Sequence, residues 1–275
     1  MFYLVLMAAV IMMLLGIVMR SKNNIKSIVS NSLFKINTRT QVSKEEELIR
    51  SAKNYLSRFR TNSVFKEEAI PLCVPYDEHY LVRAKGAGWC SEQKNWYWPF
   101  NKQRNEVDKW LPEIYKLNKN GPHILPNMVP KGLWGVNLRS CLPKSEWKRI
   151  ARNIYQKYGY HCQICGCQGT QWPVECEENW KYIRQDDKNG LVVLENLMAL
   201  CPMCHRIKHL GKANIDGVYQ EVVAHMAVIN DVSWEIANYY SSKAFEDWEK
   251  HSEMNWKFDF SWLEKNHGIK IAIEV

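Results

Sequence analysis

Two pairs of cysteines, Cys162-x-x-Cys165 and Cys201-x-x-Cys204, constrain this chain more than any other feature. Two turns of that kind can each give two sulfurs to one tetrahedral zinc ion. The 35 residues between the pairs exceed a plain zinc ribbon, so further structure must lie inside the loop that the metal closes. Disulfides are the alternative for four cysteines. The choice turns on redox compartment, and the N-terminus speaks to that. Cys73, Cys90, Cys141 and Cys167 lack paired spacing; Cys167 is close enough to the first pair to stand as an alternative ligand.

Met1 to Met19 reads MFYLVLMAAVIMMLLGIVM, without charge. As a helix it spans roughly 28 Å, close to the hydrocarbon thickness of a bilayer. No Lys or Arg precedes it, which favours a retained anchor over a cleaved signal peptide. Arg20, Lys22, Lys26, Lys35 and Arg39 follow with no acid among them, so the positive-inside rule places the rest of the chain in the cytoplasm. The expected location is the cell inner membrane, single-pass. There the thiols stay reduced, and structural Zn2+ is preferred to disulfides.

Charge and periodicity divide the remainder. Residues 20–70 hold 11 Lys/Arg against 5 Asp/Glu, most of the formal net charge of +8. Residues 20–69 read as a basic tether, suited to anionic membrane lipids, followed by an amphipathic helix. That helix opens at Ser43 and Glu45 to Glu47 and ends near Arg60. Residues 70–118 carry a short strand, a helix through Lys85, a turn at Gly86 and Gly88, a Trp96-Tyr97-Trp98 strand, and a helix from Asn101 to Leu117. Trp89, Trp96, Tyr97 and Trp98, with Lys85, Lys94 and Lys102, either offer stacking faces to unpaired bases or fill a small core. Residues 127–275 hold the cysteines and end in two helices, Tyr219 to Val228 and Val232 to His251, with a closing strand over 269–275. An Lys144 to Lys157 helix presents Lys144, Lys148, Arg149, Arg152 and Lys157 to solvent or to phosphate, and turns Trp147, Ile150, Ile154 and Tyr155 inward.

Residues 70–118, with V-P-Y, then A-K-x-x-G-A-x-W, then K-x-W-Y, resemble a small uncharacterised domain attached to bacterial DNA-processing proteins. A second likeness runs over residues 133–213. Its order is Cys162-Gln-Ile-Cys165-Gly, Val174-Glu-Cys-Glu-Glu-Asn-Trp180, Leu194-Glu-Asn196-Leu, and Leu200-Cys-Pro-Met-Cys-His205-Arg-Ile-Lys208-His209. This resembles the HNH endonucleases whose ββα-metal finger is stapled by zinc. The resemblance implies an α+β chain with an N-terminal transmembrane helix, a small α+β domain, and a zinc-bound ββα-metal domain with C-terminal helices.

The resemblance also implies a metal-dependent hydrolase acting on phosphodiester bonds of DNA. Asn196 and His205 match the second and third signature positions, and Glu177 stands where the family has its catalytic His. A carboxylate there either takes over the base role, binds the cation, or ends turnover. Glu178, next along the strand, points to the opposite face unless a bulge intervenes. His205 and His209, four apart, share a helix face; His209 is a cation or phosphate ligand or a surface residue. The expected site is therefore Glu177, Asn196 and His205 for catalysis, His209 and Glu178 for a catalytic divalent cation such as Mg2+, and Cys162, Cys165, Cys201 and Cys204 for Zn2+. The contrasting expectation is a degenerate zinc module that binds nucleic acid or a protein without cutting.

Overall fold

The computed structural model describes residues 41–271, apart from 42, 62, 66 and 117–120. The chain divides into two compact units, 1–47 and 48–275. In the first, residues 43–47 are helical, and the expected span at 1–19 and tether at 20–40 lie outside the described residues. The membrane expectation is corrected. Among the described residues no helix is long and apolar enough to cross a bilayer, so a single-pass inner-membrane protein has no structural support. The described residues form a mixed α and β fold with two three-stranded sheets.

In the second unit, helix α1 runs over residues 48–57 and gives way to turns at 58–60. A first sheet follows, with strands β1 (Ala69–Pro71), β2 (Gly88–Cys90) and β3 (Asn95–Pro99) in the order β1-β3-β2, all antiparallel. Helix α2 (His79–Ala84) bridges β1 and β2. β3 is buried on both faces. Alternation sends Trp96 and Trp98 into a core with Ile70, Leu72, Val82 and Trp110, and Tyr97 into a patch with Ala69 and Cys90. Three of the four aromatic side chains weighed for base stacking are therefore core residues, and only Trp89 is exposed. The expected helix from Asn101 to Leu117 is instead two 3-10 segments, Arg104–Trp110 and Glu113–Tyr115. Pro112 sits between them, where it offers no N–H to a helical ladder.

The second sheet carries the chemistry. Strand β4 (Glu175–Arg184) pairs antiparallel with β5 (Asn189–Leu200), and β6 (Asn255–Asp259) adds parallel to β5. The third strand is thus 255–259; residues 269–271, part of the expected closing strand, belong to no element, and 272–275 lie outside the described residues. Asn179 opposes Asn196 while Trp180 opposes Leu194, leaving Glu195 as the extra residue of a bulge. Short helix α3 (Leu138–Cys141) is closed by an Asn137 and Ser140 capping box. Helix α4 (Lys144–Lys157) buries Ile150, Ala151 and Ile154, and Lys144, Lys148, Arg149, Arg152 and Lys157 are all exposed.

After β5 come α5 (Pro202–Lys208), α6 (Leu210–Ile215), the buried α7 (Tyr219–Asn230), α8 (Trp234–Ser252) and α9 (Ser261–His267). One large core joins β4, β5, α5 and α7. The small sheet docks on this core through main-chain bonds from Glu113 N to the Gln163 carbonyl (2.8 Å) and Ile114 N to the Ile164 carbonyl (3.0 Å).

Candidate metal centres

The first knuckle is built by backbone geometry. Gly166 adopts φ +77° immediately after Cys165, and its N–H donates to the Cys162 carbonyl at 2.7 Å. A Cβ there would stand 2.7 Å from Pro71 Cγ, so the turn requires glycine on two counts. The second knuckle opens α5, with Cys201 at its N-cap and Pro202 at the first helical position, where its missing N–H costs nothing. Cys162, Cys165, Cys201 and Cys204 are all buried, and their sulfurs lie within 4.8 Å of one another. Cys165 Sγ is 3.7 Å from both Cys201 Sγ and Cys204 Sγ.

A tetrahedron of sulfurs at about 2.3 Å from zinc has edges of about 3.8 Å. The group therefore fits a structural metal such as zinc. Burial pushes the Cys165 and Cys201 thiols well above their ordinary range; a cation held by the four sulfurs would make thiolates of them. All nine cysteines are free of disulfides. Cys167 is buried but outside the ligand group, with its thiol directed at the Cys165 carbonyl.

Next to this centre lies a second group. Glu177, His205 and His209 each place a ligand atom within 4.8 Å of the others. Glu177 comes from β4, His205 follows Cys204 on α5, and His209 sits at the joint of α5 and α6, its N–H bonded to the His205 carbonyl at 3.2 Å. One oxygen, Glu177 Oε2, is 3.0 Å from both His205 Nε2 and His209 Nε2. Donor atoms about 2.1 Å from an ion and at right angles to one another stand about 3.0 Å apart, so the spacing suits one face of a divalent-cation site. His205 Nδ1 lies 3.2 Å from Glu175 Oε2. Glu175 and Glu177 are two apart on β4, on one face, and together they fix the imidazole plane.

Burial pushes the Glu177 carboxyl up, but the two imidazoles outweigh it and hold it at about 2. Burial likewise lowers the His205 imidazole, and the hydrogen bond and charge of Glu177 more than reverse that, leaving it raised. Glu178 faces elsewhere. Its Oε1 accepts from Leu138 N (2.6 Å) and its Oε2 from Trp180 Nε1 (3.1 Å), and burial pushes it up to about 7 despite those bonds.

Of the expected site residues, the structure brings together Glu177, His205 and His209, and separately the four cysteines. Glu178 stands outside the ligand group, as does Asn196, half-buried opposite Asn179 on the β5 side of the bulge. Lys208 is buried and donates to Asn179 Oδ1 at 2.8 Å, so it is spent inside the fold. Two contributors escaped the sequence reading. Glu175 had a signal, the Glu-x-Glu alternation on a strand. His225, fully buried with Nε2 3.6 Å from Cys204 Sγ, was an isolated histidine on a helix and had none.

Residues 70–112, within the small domain, match a family described as "Domain of unknown function (DUF5710)". Over 71 residues the chain is 27% identical to Anaredoxin of Nostoc sp. (strain PCC 7120 / SAG 25.82 / UTEX 2576), a match spanning 26% of this chain and 86% of that protein. No solved structure matches.

Proposed function

We propose that the chain is a divalent-cation-dependent endonuclease of the HNH type that hydrolyses phosphodiester bonds of DNA. The observation that carries this reading is the convergence of Glu177 with His205 and His209 on one point beside the cysteine cluster. Glu177 acts here as a ligand. A carboxylate held at about 2 is a weak base near neutrality, so the base role expected of it passes elsewhere.

A divalent cation held by Glu177, His205 and His209 would polarise the phosphate and lower the pKa of water. Glu178 lines the same cavity as Glu177 and His209. Its two oxygens accept from Leu138 N and Trp180 Nε1, so it braces the wall rather than the reacting water. Glu175 holds His205 in the orientation its ligand role requires. The exposed Arg206, on the same helix as His205, supplies positive charge for the phosphate backbone.

The test is nicking of supercoiled plasmid by the zinc-loaded chain with Mg2+, Mn2+ or no added cation. Cation-dependent nicking that falls at least about 100-fold in His205→Ala and in His209→Ala, with the cysteine-bound zinc retained, supports the reading. DNA binding without nicking under any cation overturns it and leaves a non-catalytic zinc module. Nicking unchanged in both histidine variants overturns it as well.

A further inference from the structure

A cavity of about 580 Å³ opens beside the triad, with Glu177 and His209 in its wall. Most of the remaining lining is apolar and aromatic, including Met128, Trp134, Phe245 and Trp248. Trp134 is 65% exposed, an unusual state for an indole that lines a cavity. It is nevertheless fixed. The indole N–H groups of Trp134 and Trp248 both donate to the Val129 carbonyl, at 3.0 and 2.9 Å, and the two rings lie within 20° of parallel at 6.4 Å. With its edge tied down, Trp134 has a face to offer.

Asn127 also lines the cavity. Its Nδ2 donates to the Trp180 carbonyl at 2.8 Å, which sets the amide orientation, and its Oδ1 is buried without a hydrogen-bond partner. Asn127 is thereby held in the wall with its oxygen covered by the fold, and it leaves the cavity to the apolar side chains.

We propose that this cavity seats a nucleobase of the nucleic acid whose phosphate lies at the Glu177, His205 and His209 centre, stacked on Trp134. The seat rests on the nuclease reading, and three features select its occupant. The volume suits a nucleoside-sized group. A fixed indole with a free face favours a flat π-system. The mostly apolar wall, with Met128, Phe245 and Trp248, suits the neutral base, and the phosphate stays at the Glu177, His205 and His209 centre at its edge.

The test measures binding and cleavage separately on the full zinc-loaded chain. Binding is read by fluorescence anisotropy of a labelled single-stranded oligonucleotide and of the same strand carrying abasic sites, in a His205→Ala background that removes turnover. Trp134→Ala is expected to weaken binding of the normal strand about tenfold, the loss of one stacked base. It should change binding of the abasic strand little, and Trp134→Phe should restore most of the difference. Retained zinc and an unchanged melting temperature establish that the variants fold. Equal losses for normal and abasic strands, or none for either, overturn the base seat. Cleavage by the wild-type chain without any dependence on Trp134 sinks the seat and leaves the nuclease. Trp134-dependent discrimination against abasic strands in a chain that never nicks DNA sinks the nuclease and leaves the seat.

Discussion

Replacing Glu177 by Gln tests the electrostatic core of the site without DNA. In the zinc-loaded chain with no second cation, Glu177 is 7% exposed and takes both imidazoles on one oxygen at 3.0 Å. Its carboxyl is held at about 2, against an ordinary value of about 4.3. At about 1.4 kcal/mol for each factor of ten in acidity, that difference is worth roughly 3 kcal/mol of folding stability near neutrality. The amide oxygen of Gln still accepts from one imidazole and returns about 1 kcal/mol, so we expect a net loss of about 2 kcal/mol.

The pH dependence follows from the two signs. The depressed carboxyl contributes above about pH 4.3 and loses its contribution as pH falls towards 2. The raised His205 contributes fully below about pH 6.5 and loses its share as pH climbs through its elevated value. Both operate together only in the window between, so the gap between the wild type and Glu177→Gln should be widest near pH 6 and narrower by pH 9. Urea unfolding across that range measures it. Added Mn2+ should widen the gap further, because the cation binds only the folded wild-type site. A gap under about 0.5 kcal/mol, or one that grows between pH 6 and 9, would show that the histidines are not engaged as the structure places them.

Two other perturbations probe the frame around the site. Stripping the metal from the cysteine cluster removes binding energy of about 10–16 kcal/mol, comparable to the whole stability of a domain. The metal-free chain should therefore lose its cooperative melt and react at buried thiols that are protected in the loaded chain; a metal-free melt at the loaded temperature would refute the staple. Gly190→Ala should destabilise by about 1–3 kcal/mol. The added Cβ would meet Trp256 Cζ3 at 2.2 Å, and Trp256 is wedged between Tyr182 and His251 with its N–H on the His251 carbonyl. An unchanged urea midpoint in this variant would mean that β6 does not pair beside Gly190.

What the sequence made legible was covalent and periodic. Paired Cys-x-x-Cys spacing named the four cysteines that gather in one buried cluster able to hold a metal, because two turns of that length leave few other uses for their sulfurs. Four-residue spacing brought His205 and His209 to one side because helix geometry is local. Alternation correctly turned Glu178 away from Glu177. What the sequence left open or missed turns on tertiary context. Trp96, Tyr97 and Trp98 form an aromatic strand that reads equally as platform or core, and only the elements on both faces of β3 decide. Asn101 to Leu117 has helical composition, yet Pro112 and the main-chain bonds from Glu113 and Ile114 to the first knuckle draw it into short turns. His225 reaches Cys204 from a helix remote in sequence, and no local pattern marks such a partner.

The two centres depend on one another through strand register as much as through the helix. Cys204 and His205 are neighbours, so a metal in the cysteine cluster, by fixing the start of α5, would also aim the first imidazole. Glu177 belongs to a different strand, and a shift of one residue along β5 would turn it to the other face. Leu200, the last residue of β5, precedes Cys201 and pairs with Glu175, and Met198 pairs with Glu177. The cysteine cluster thus pins the hairpin at the end that bears the acids. The mismatch at Glu195 falls beyond Asn179, towards the turn, where a bulge absorbs it before it reaches Glu177. A variant that lengthens the hairpin turn near Asp186 should therefore leave the Glu177, His205 and His209 geometry intact, whereas one that loosens Cys201 should release all three at once. Paramagnetic Mn2+ relaxation of water protons, a readout of cation binding that needs no substrate, distinguishes the two. Retained Mn2+ binding in a Cys201→Ser chain would contradict this coupling.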